Sequence, residues 1–228
     1  MTAWAFVLGA LPTWLYLVVC VTRLRREHSP PISEGGGRAL TAATWVTVGR
    51  GFLVSVVAGF ALEPEPAGRA RWIPGVLYAL SVLADRLDGA LARRTKTTTA
   101  LGAKLDVTTD VVGLLVAPIV GVRWACLPPW YLALALAYPM FRLSLGLRRA
   151  RGLPVHLERL RPDPRARFFA GVQMTVVAVA LLDVLPRALT WTAASVAMVP
   201  TLALFVGEWG LVTRSATDDD AGAERLHA

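Results

Sequence analysis

Cysteine and histidine are scarce in this chain of 228 residues, which has two of the first and three of the second. Cys20 and Cys126 sit near the ends of different apolar stretches, so they supply neither a disulfide framework nor a metal quartet. His28, His156 and His227 fall in connecting segments or the tail, where histidine is ordinarily solvated, and no role is assigned to them. No internal repeat is discernible, so the inverted-repeat signature of many transporters is missing. No basic residue precedes the first apolar stretch, Ala3 to Val21, whereas Arg23, Arg25 and Arg26 follow it at once. A secretory signal has the opposite order of charge and apolar run. Aromatic residues are not interleaved with the basic ones, so the net charge of +8 does not point to nucleic acid.

What the chain has in abundance is apolar length. Hydrophobic residues make up 55% of it and the mean hydropathy is +0.51, too apolar for the surface of a soluble domain. A spanning helix needs roughly 20 apolar residues, and about seven such stretches are present. The first is read as a retained helix with its N-terminus outside. A linker with Pro30, Pro31 and the run Gly35, Gly36, Gly37 follows, and then six core spans near 41–62, 72–92, 101–121, 128–147, 166–184 and 189–212. The expected fold is all-α: a polytopic membrane helix bundle with six core transmembrane helices and one extra N-terminal helix. Residues 1–40 form that helix and its cytoplasmic linker, 41–213 the membrane domain, and 214–228 a disordered cytoplasmic tail. From Ser215 onward the tail lacks apolar periodicity and carries the run Asp218, Asp219, Asp220.

Basic residues resist translocation and collect in cytoplasmic loops. Of the 24 Lys and Arg, only Arg69, Arg71, Arg123 and Arg187 fall on one side of the proposed spans, and Arg50 and Arg86 fall within spans. The others gather in the linker after the first span, around 93–104, in region 142–167 and in the tail, which makes that side cytoplasmic. Trp4, Trp14, Trp72, Trp124, Trp130 and Trp191 lie near span ends or along apolar faces, where interface anchoring and packing account for them.

Ionisable side chains inside apolar spans are costly, and their default meaning is functional. Asp85, Asp88, Asp106 and Asp110 stand at the cytoplasmic ends of two successive spans. Helical residues three or four apart share a face, so Asp85 points with Asp88 and Asp106 with Asp110. A short connection is expected to make the two helices antiparallel neighbours, which brings four carboxylates to one opening. Their mutual repulsion calls for cations, and carboxylate oxygens suit Mg²⁺, Mn²⁺ or Ca²⁺ rather than zinc. A purely structural network pairing these aspartates with Arg50 and Arg86 is the plain alternative. For Arg86, between two motif aspartates, structural charge balance is the better reading. Thr97, Thr98 and Thr99 are expected to cap the following helix.

The run from 85 to 110 reads DRLDGALARRTKTTTALGAKLDVTTD: DxxDGxxAR, eight residues, then GxxxDxxxD. It resembles the CDP-alcohol phosphotransferase signature at every defining position, and six core spans with the motif on the second and third also look like that family. The resemblance implies that Asp85, Asp88, Asp106 and Asp110 bind metal, Mg²⁺ or Mn²⁺, with Asp110 also the general base. Gly89, Ala92 and Gly102 match the small residues that let the cytidine nucleotide lie against the helices, and Arg93 matches the motif arginine. Thr47-Val48-Gly49-Arg50 matches a ThrxxArg element in the preceding span. Thr47 is thereby a nucleotide contact and Arg50 a phosphate or carboxylate contact, with Thr44 where Asn is common. The resemblance implies a CDP-linked lipid donor, an alcohol or phosphorylated alcohol acceptor, release of CMP, and a homodimer in the cell membrane with its site facing the cytoplasm. Arg142, Arg148 and Arg149, at the inner end of the fourth core span, are candidates for the acceptor's phosphate. Two rivals remain: an intramembrane prenyltransferase with another aspartate spacing, and a cation or proton-coupled transporter that uses the aspartates as a pathway.

Overall fold

The computed structural model describes residues 3–27, 42–95, 100–157, 160 and 163–213. The linker glycines Gly35 to Gly37, the expected cap at Thr97 to Thr99 and the tail from Ser215 lie outside the described residues. Among the described residues seven long helices form where seven spans are expected: α1 (Ala3–Glu27), α2 (Ala42–Gly59), α3 (Ile73–Thr95), α4 (Ala100–Arg123), α5 (Leu132–Ala150), α6 (Pro164–Leu182) and α7 (Arg187–Thr213). Two short 3-10 turns, Gly68–Trp72 and Pro129–Tyr131, lead into α3 and α5, and there is no strand among the described residues. The physical reason is common to all seven helices. In hydrocarbon each backbone N–H and C=O must be paired within the segment, which a helix achieves alone.

Among the described residues five helices are long and apolar enough to cross a membrane: α1, α4, α5, α6 and α7. The apolar part of α2, Trp45–Gly59, is shorter, and α3 carries Asp85, Arg86, Asp88, Arg93 and Arg94. The two helices that fall short of the expected span composition are thus those that hold Arg50 and the first motif aspartates. Local signals set several ends. Asp163 caps α6 by accepting from the Arg165 backbone N–H at 2.8 Å, with Pro164 at the first turn, and Asp183 ends the helix in the left-handed region at φ 49°.

The helices do not pack in chain order. α2 lies at the centre, against α1, α3 and α4, while α3 and α4 touch only sparsely. The expected neighbours of the motif are therefore separated by α2; a short connection fixes how far apart two helix ends are and leaves a third helix free to wedge between them. α3 packs on α6, α6 on α7, and α5 on α4 and α7. Val54, Val57, Phe60, Tyr78, Val120, Val177 and Leu181 belong to the core where these helices meet.

Two close approaches use glycine. A Cβ at Gly75 would lie 2.7 Å from the backbone carbonyl of Leu181, so α3 and α6 touch main chain to main chain. Gly9 of α1 similarly leaves no room for a Cβ against Ala58 of α2. Small residues at such crossings let van der Waals contact drive association where lipid is as apolar as leucine. Gly75→Ala is accordingly expected to destabilise the fold by about 1–3 kcal/mol, the usual cost of overpacking, seen as a lowered thermal midpoint in detergent. An unchanged midpoint would mean that α3 and α6 can separate freely.

Several buried polar groups are paired across elements. Gln173 of α6 donates from Nε2 to the Ala197 carbonyl at 2.6 Å and to Thr201 Oγ1 at 2.9 Å, both on α7, while its Oε1 accepts from the Tyr131 hydroxyl. At the end opposite the motif, Arg71 bridges Glu65 at 2.5 Å and Asp183 at 2.6 Å. There Trp124 Nε1 donates to the Glu63 carbonyl at 3.2 Å, closing the turn after α2 against the end of α4. Cys126 is buried in the same region; burial, with Asp183 and Glu65 nearby, pushes its thiol above the usual range and makes it a poor nucleophile.

Candidate active site

The site lies at the end of the bundle where α2 and α4 begin and α3 ends. Asp85 comes from α3, Asp106 and Asp110 from successive turns of one face of α4, and Arg50 from the third turn of α2. Because α2 lies between the other two helices, its arginine is what brings the carboxylates together. Arg50 is 3% exposed. Its Nη1 pairs with Asp85 at 2.9 Å and with Asp106, its Nη2 pairs with Asp110 at 2.5 Å, and its Nε donates to the Ser81 carbonyl at 3.2 Å. One planar guanidinium thus holds three acidic side chains and the backbone of α3, a geometry that a lysine ammonium cannot reproduce.

The carboxylates are only partly covered, with exposures of 24% for Asp85, 42% for Asp106 and 26% for Asp110, so the cluster opens to water on one side while its arginine is sealed on the other. One oxygen from each lies within 4.8 Å of those from the other two. Oxygens on opposite sides of a Mg²⁺, Mn²⁺ or Ca²⁺ ion at about 2.0–2.6 Å are about 4–5 Å apart, so the spacing fits a single divalent cation. Charge agrees: three ionised carboxylates and one guanidinium leave a surplus of two negative charges. Among the described residues this is the one group of three or more His, Cys, Asp or Glu with such spacing.

Other expected site residues divide by where α2 and α6 put them. Thr47, one turn before Arg50, is buried and lines an apolar groove with Trp14, Leu17, Gly51, Leu105 and Thr109, between α1, α2 and α4. Gly89 lies one turn beyond Asp85 on α3 and is half-buried. Ala92 and Arg93 belong to the last turns of α3 and Gly102 to the first turn of α4, while the side chains of Asp88, Ala92 and Arg93 lie outside the described residues. The fourth carboxylate of the motif is therefore placed on α3 by its backbone alone.

Two groups are not at the cluster. Arg86 makes no ion pair with Asp85, Asp106 or Asp110; it donates to the Gly171 carbonyl and to Thr175 Oγ1, each at 3.1 Å, and ties α3 to α6. The reason is helical phase, since a residue one along from Asp85 is turned about 100° from it. Arg142, Arg148 and Arg149 lie on α5, which contacts α4 and α7 but neither α2 nor α3. Arg148 donates to the Thr213 carbonyl at 2.9 Å and the Pro154 carbonyl at 3.5 Å, and Arg142 and Arg149 are exposed.

Two residues at the site escape a motif-based reading, Tyr78 and Ser81. Both are buried on α3 and line a small cavity with Arg50 and Asp110. Their signal is the spacing 78, 81, 85, a polar stripe at helical period running inward from the first motif aspartate.

The chain matches the CDP-alcohol phosphatidyltransferase family over residues 40–206, from just before α2 into α7. It is also similar to a protein of Streptomyces coelicolor named cardiolipin synthase (CMP-forming), with 34% identity over 121 residues, 51% of this chain and 55% of that one. The chain thus spans about half the length of that curated relative. No solved structure matches it. With Asp85, Asp106 and Asp110 gathered around one arginine and the match running from just before α2 into α7, the chain belongs to the CDP-alcohol phosphatidyltransferase family.

Proposed function

We propose that this chain is an integral membrane transferase that moves a phosphatidyl-type group from a CDP-linked lipid onto an alcohol and releases CMP. The observation that carries the reading is the cluster of Asp85, Asp106 and Asp110 around Arg50 at a water-facing mouth in an otherwise apolar bundle. The acceptor's hydroxyl oxygen forms a bond to the lipid-bearing phosphorus, the bond from that phosphorus to the CMP oxygen breaks, and Asp110 takes the hydroxyl proton. Asp85, Asp106 and Asp110, with Asp88 as the motif's fourth carboxylate, would hold Mg²⁺ or Mn²⁺. When bound, such a cation would supply positive charge to offset the negative charge of the pyrophosphate. Arg50 fixes the carboxylates, while Gly89, Ala92, Arg93, Gly102 and Thr47 contact the nucleotide.

The mouth faces the cytoplasm, because the Lys and Arg excess flanks that end of the helices, and the working unit is a homodimer, as family membership implies. Residues 1–40 add a helix and linker, 41–213 form the catalytic membrane domain, and 214–228 a cytoplasmic tail. The acceptor is an alcohol drawn from glycerol phosphate, inositol phosphate, serine or a second lipid; the name of the Streptomyces relative favours a lipid.

The test is CMP release by the purified protein from a CDP-lipid with Mg²⁺ or Mn²⁺, across those water-soluble alcohols and a lipid bearing a free headgroup hydroxyl. Release with one acceptor is expected, with chelation abolishing it. Prenyl transfer without CMP would establish a prenyltransferase instead. Ion uptake by reconstituted vesicles without nucleotide turnover would establish a transporter.

A further inference from the structure

Tyr78 is 2% exposed, and its hydroxyl has no hydrogen-bond partner among the described residues. Leaving a buried hydroxyl unpaired forfeits its bond to water without replacement, so such groups in folded proteins are met by an ordered water or ion, or serve a site. Tyr78 stands on the wall of a cavity of about 10 Å³ lined also by Arg50, Ser81, Thr109, Asp110 and Gly113. That is about the least space that holds one water, and a buried water needs two to four polar partners. The Tyr78 hydroxyl, the Asp110 carboxylate and the Ser81 and Thr109 hydroxyls can supply them. Asp110 gives Oδ1 to Arg50 at 2.5 Å, which leaves Oδ2 for a second bond.

We infer that Tyr78 is a positioning residue for Asp110, acting through a single water held in the cavity between them. The inference rests on the reading of Asp110 as the acceptor of the hydroxyl proton. Arg50 fixes one carboxylate oxygen from the side of α2, and the tyrosine-bound water fixes the other from beneath. With both oxygens bonded, the carboxylate is held against rotation about its own side chain, so it meets the incoming alcohol in one orientation.

Two variants test this, each by thermal midpoint in detergent and by kcat and KM for CMP release. Tyr78→Phe removes the hydroxyl and keeps the ring. Gly113→Ala keeps the hydroxyl and fills the cavity: its Cβ would lie 3.4 Å from Tyr78 Cε2, 3.6 Å from Val54 Cγ2 and 3.9 Å from the Tyr78 hydroxyl, all ordinary contacts. The methyl group displaces the water without breaking the packing, and alanine favours the helix. Both variants are expected to lose kcat by roughly tenfold to a hundredfold with the KM for CDP-lipid unchanged, the scale of a misplaced reacting group. The midpoint of Tyr78→Phe should fall, and that of Gly113→Ala should fall too, because displacing the water strands the Tyr78 hydroxyl and alanine's helix preference offsets only part of that loss.

A raised midpoint for Tyr78→Phe is what a hydroxyl buried without any partner predicts, and it would overturn the water bridge. Either variant retaining wild-type kcat would overturn the positioning role. If the wild-type protein releases no CMP, the functional reading has failed, and the Tyr78→Phe midpoint decides the bridge alone: a fall supports it, a rise removes it.

Discussion

Asp110→Asn is expected to leave the protein folded and to lower CMP release by about 10²–10⁴-fold, the range over which a positioned general base contributes. Asparagine keeps the shape of the side chain and an oxygen for Arg50, which now bonds to Asp110 at 2.5 Å. What it removes is the basic site and one negative charge of the group that fits a divalent cation. The effect should therefore lie toward the upper end of the range, with a higher cation concentration needed for half-maximal activity. Folding should not suffer, because removing one of three crowded carboxylates relieves repulsion. Turnover within a few-fold of wild type, in protein of unchanged midpoint, would assign the base elsewhere.

The second large effect concerns Arg50, and it is one of stability. Arg50→Leu deletes the cation of a network whose three acidic members lie in an apolar bundle, and breaking a buried charge network by removing one partner costs about 3–5 kcal/mol. The lower end applies, since the carboxylates keep 24%, 42% and 26% of their exposure and water screens them in part. The loss should show as a depressed thermal midpoint in chelator. Mg²⁺ should then restore more in the variant than it adds to the wild type, since a ligand at 100 times its Kd stabilises by about 2.7 kcal/mol. Arg50→Lys is expected to fall between the two, because one ammonium cannot reach three carboxylates and the Ser81 carbonyl together. Equal midpoints for wild type and Arg50→Leu in chelator would show that the aspartates do not depend on this arginine.

The number and positions of the helices were legible because apolar length in a bilayer has few structural meanings. The aspartates were legible because charge in such a run is costly, and their three- and four-residue spacing assigns a helical face. The same reasoning could not see that α2 enters between α3 and α4, since helix order in space depends on side-chain fit among all seven elements. Arg50, paired with the aspartates in the sequence reading only as the plain alternative, is the residue that Asp85, Asp106 and Asp110 all contact, because it stands on the helix between them. Arg86 turns toward Gly171 and Thr175 by helical phase, one residue along from Asp85. Tyr78 carries no motif and lies seven residues before Asp85; only the packing of α2, α4 and α6 around it makes its hydroxyl a site feature.

The amide of Gln173 bears on how the protein is made. A chain delivered to the bilayer from its N-terminus presents α6 before α7 exists, so Ala197 and Thr201 are not yet there to receive the amide. The Tyr131 hydroxyl, already synthesised, offers one of the three bonds, and an amide short of partners in hydrocarbon favours staying near the headgroups. Helix α6 is thus a reluctant passenger until its successor emerges, and the short connection from Asp183 to Pro186 keeps that wait brief. The final pair is therefore expected to enter as a hairpin, with the Gln173 bonds to Ala197 and Thr201 both joining the two helices and relieving the amide in hydrocarbon.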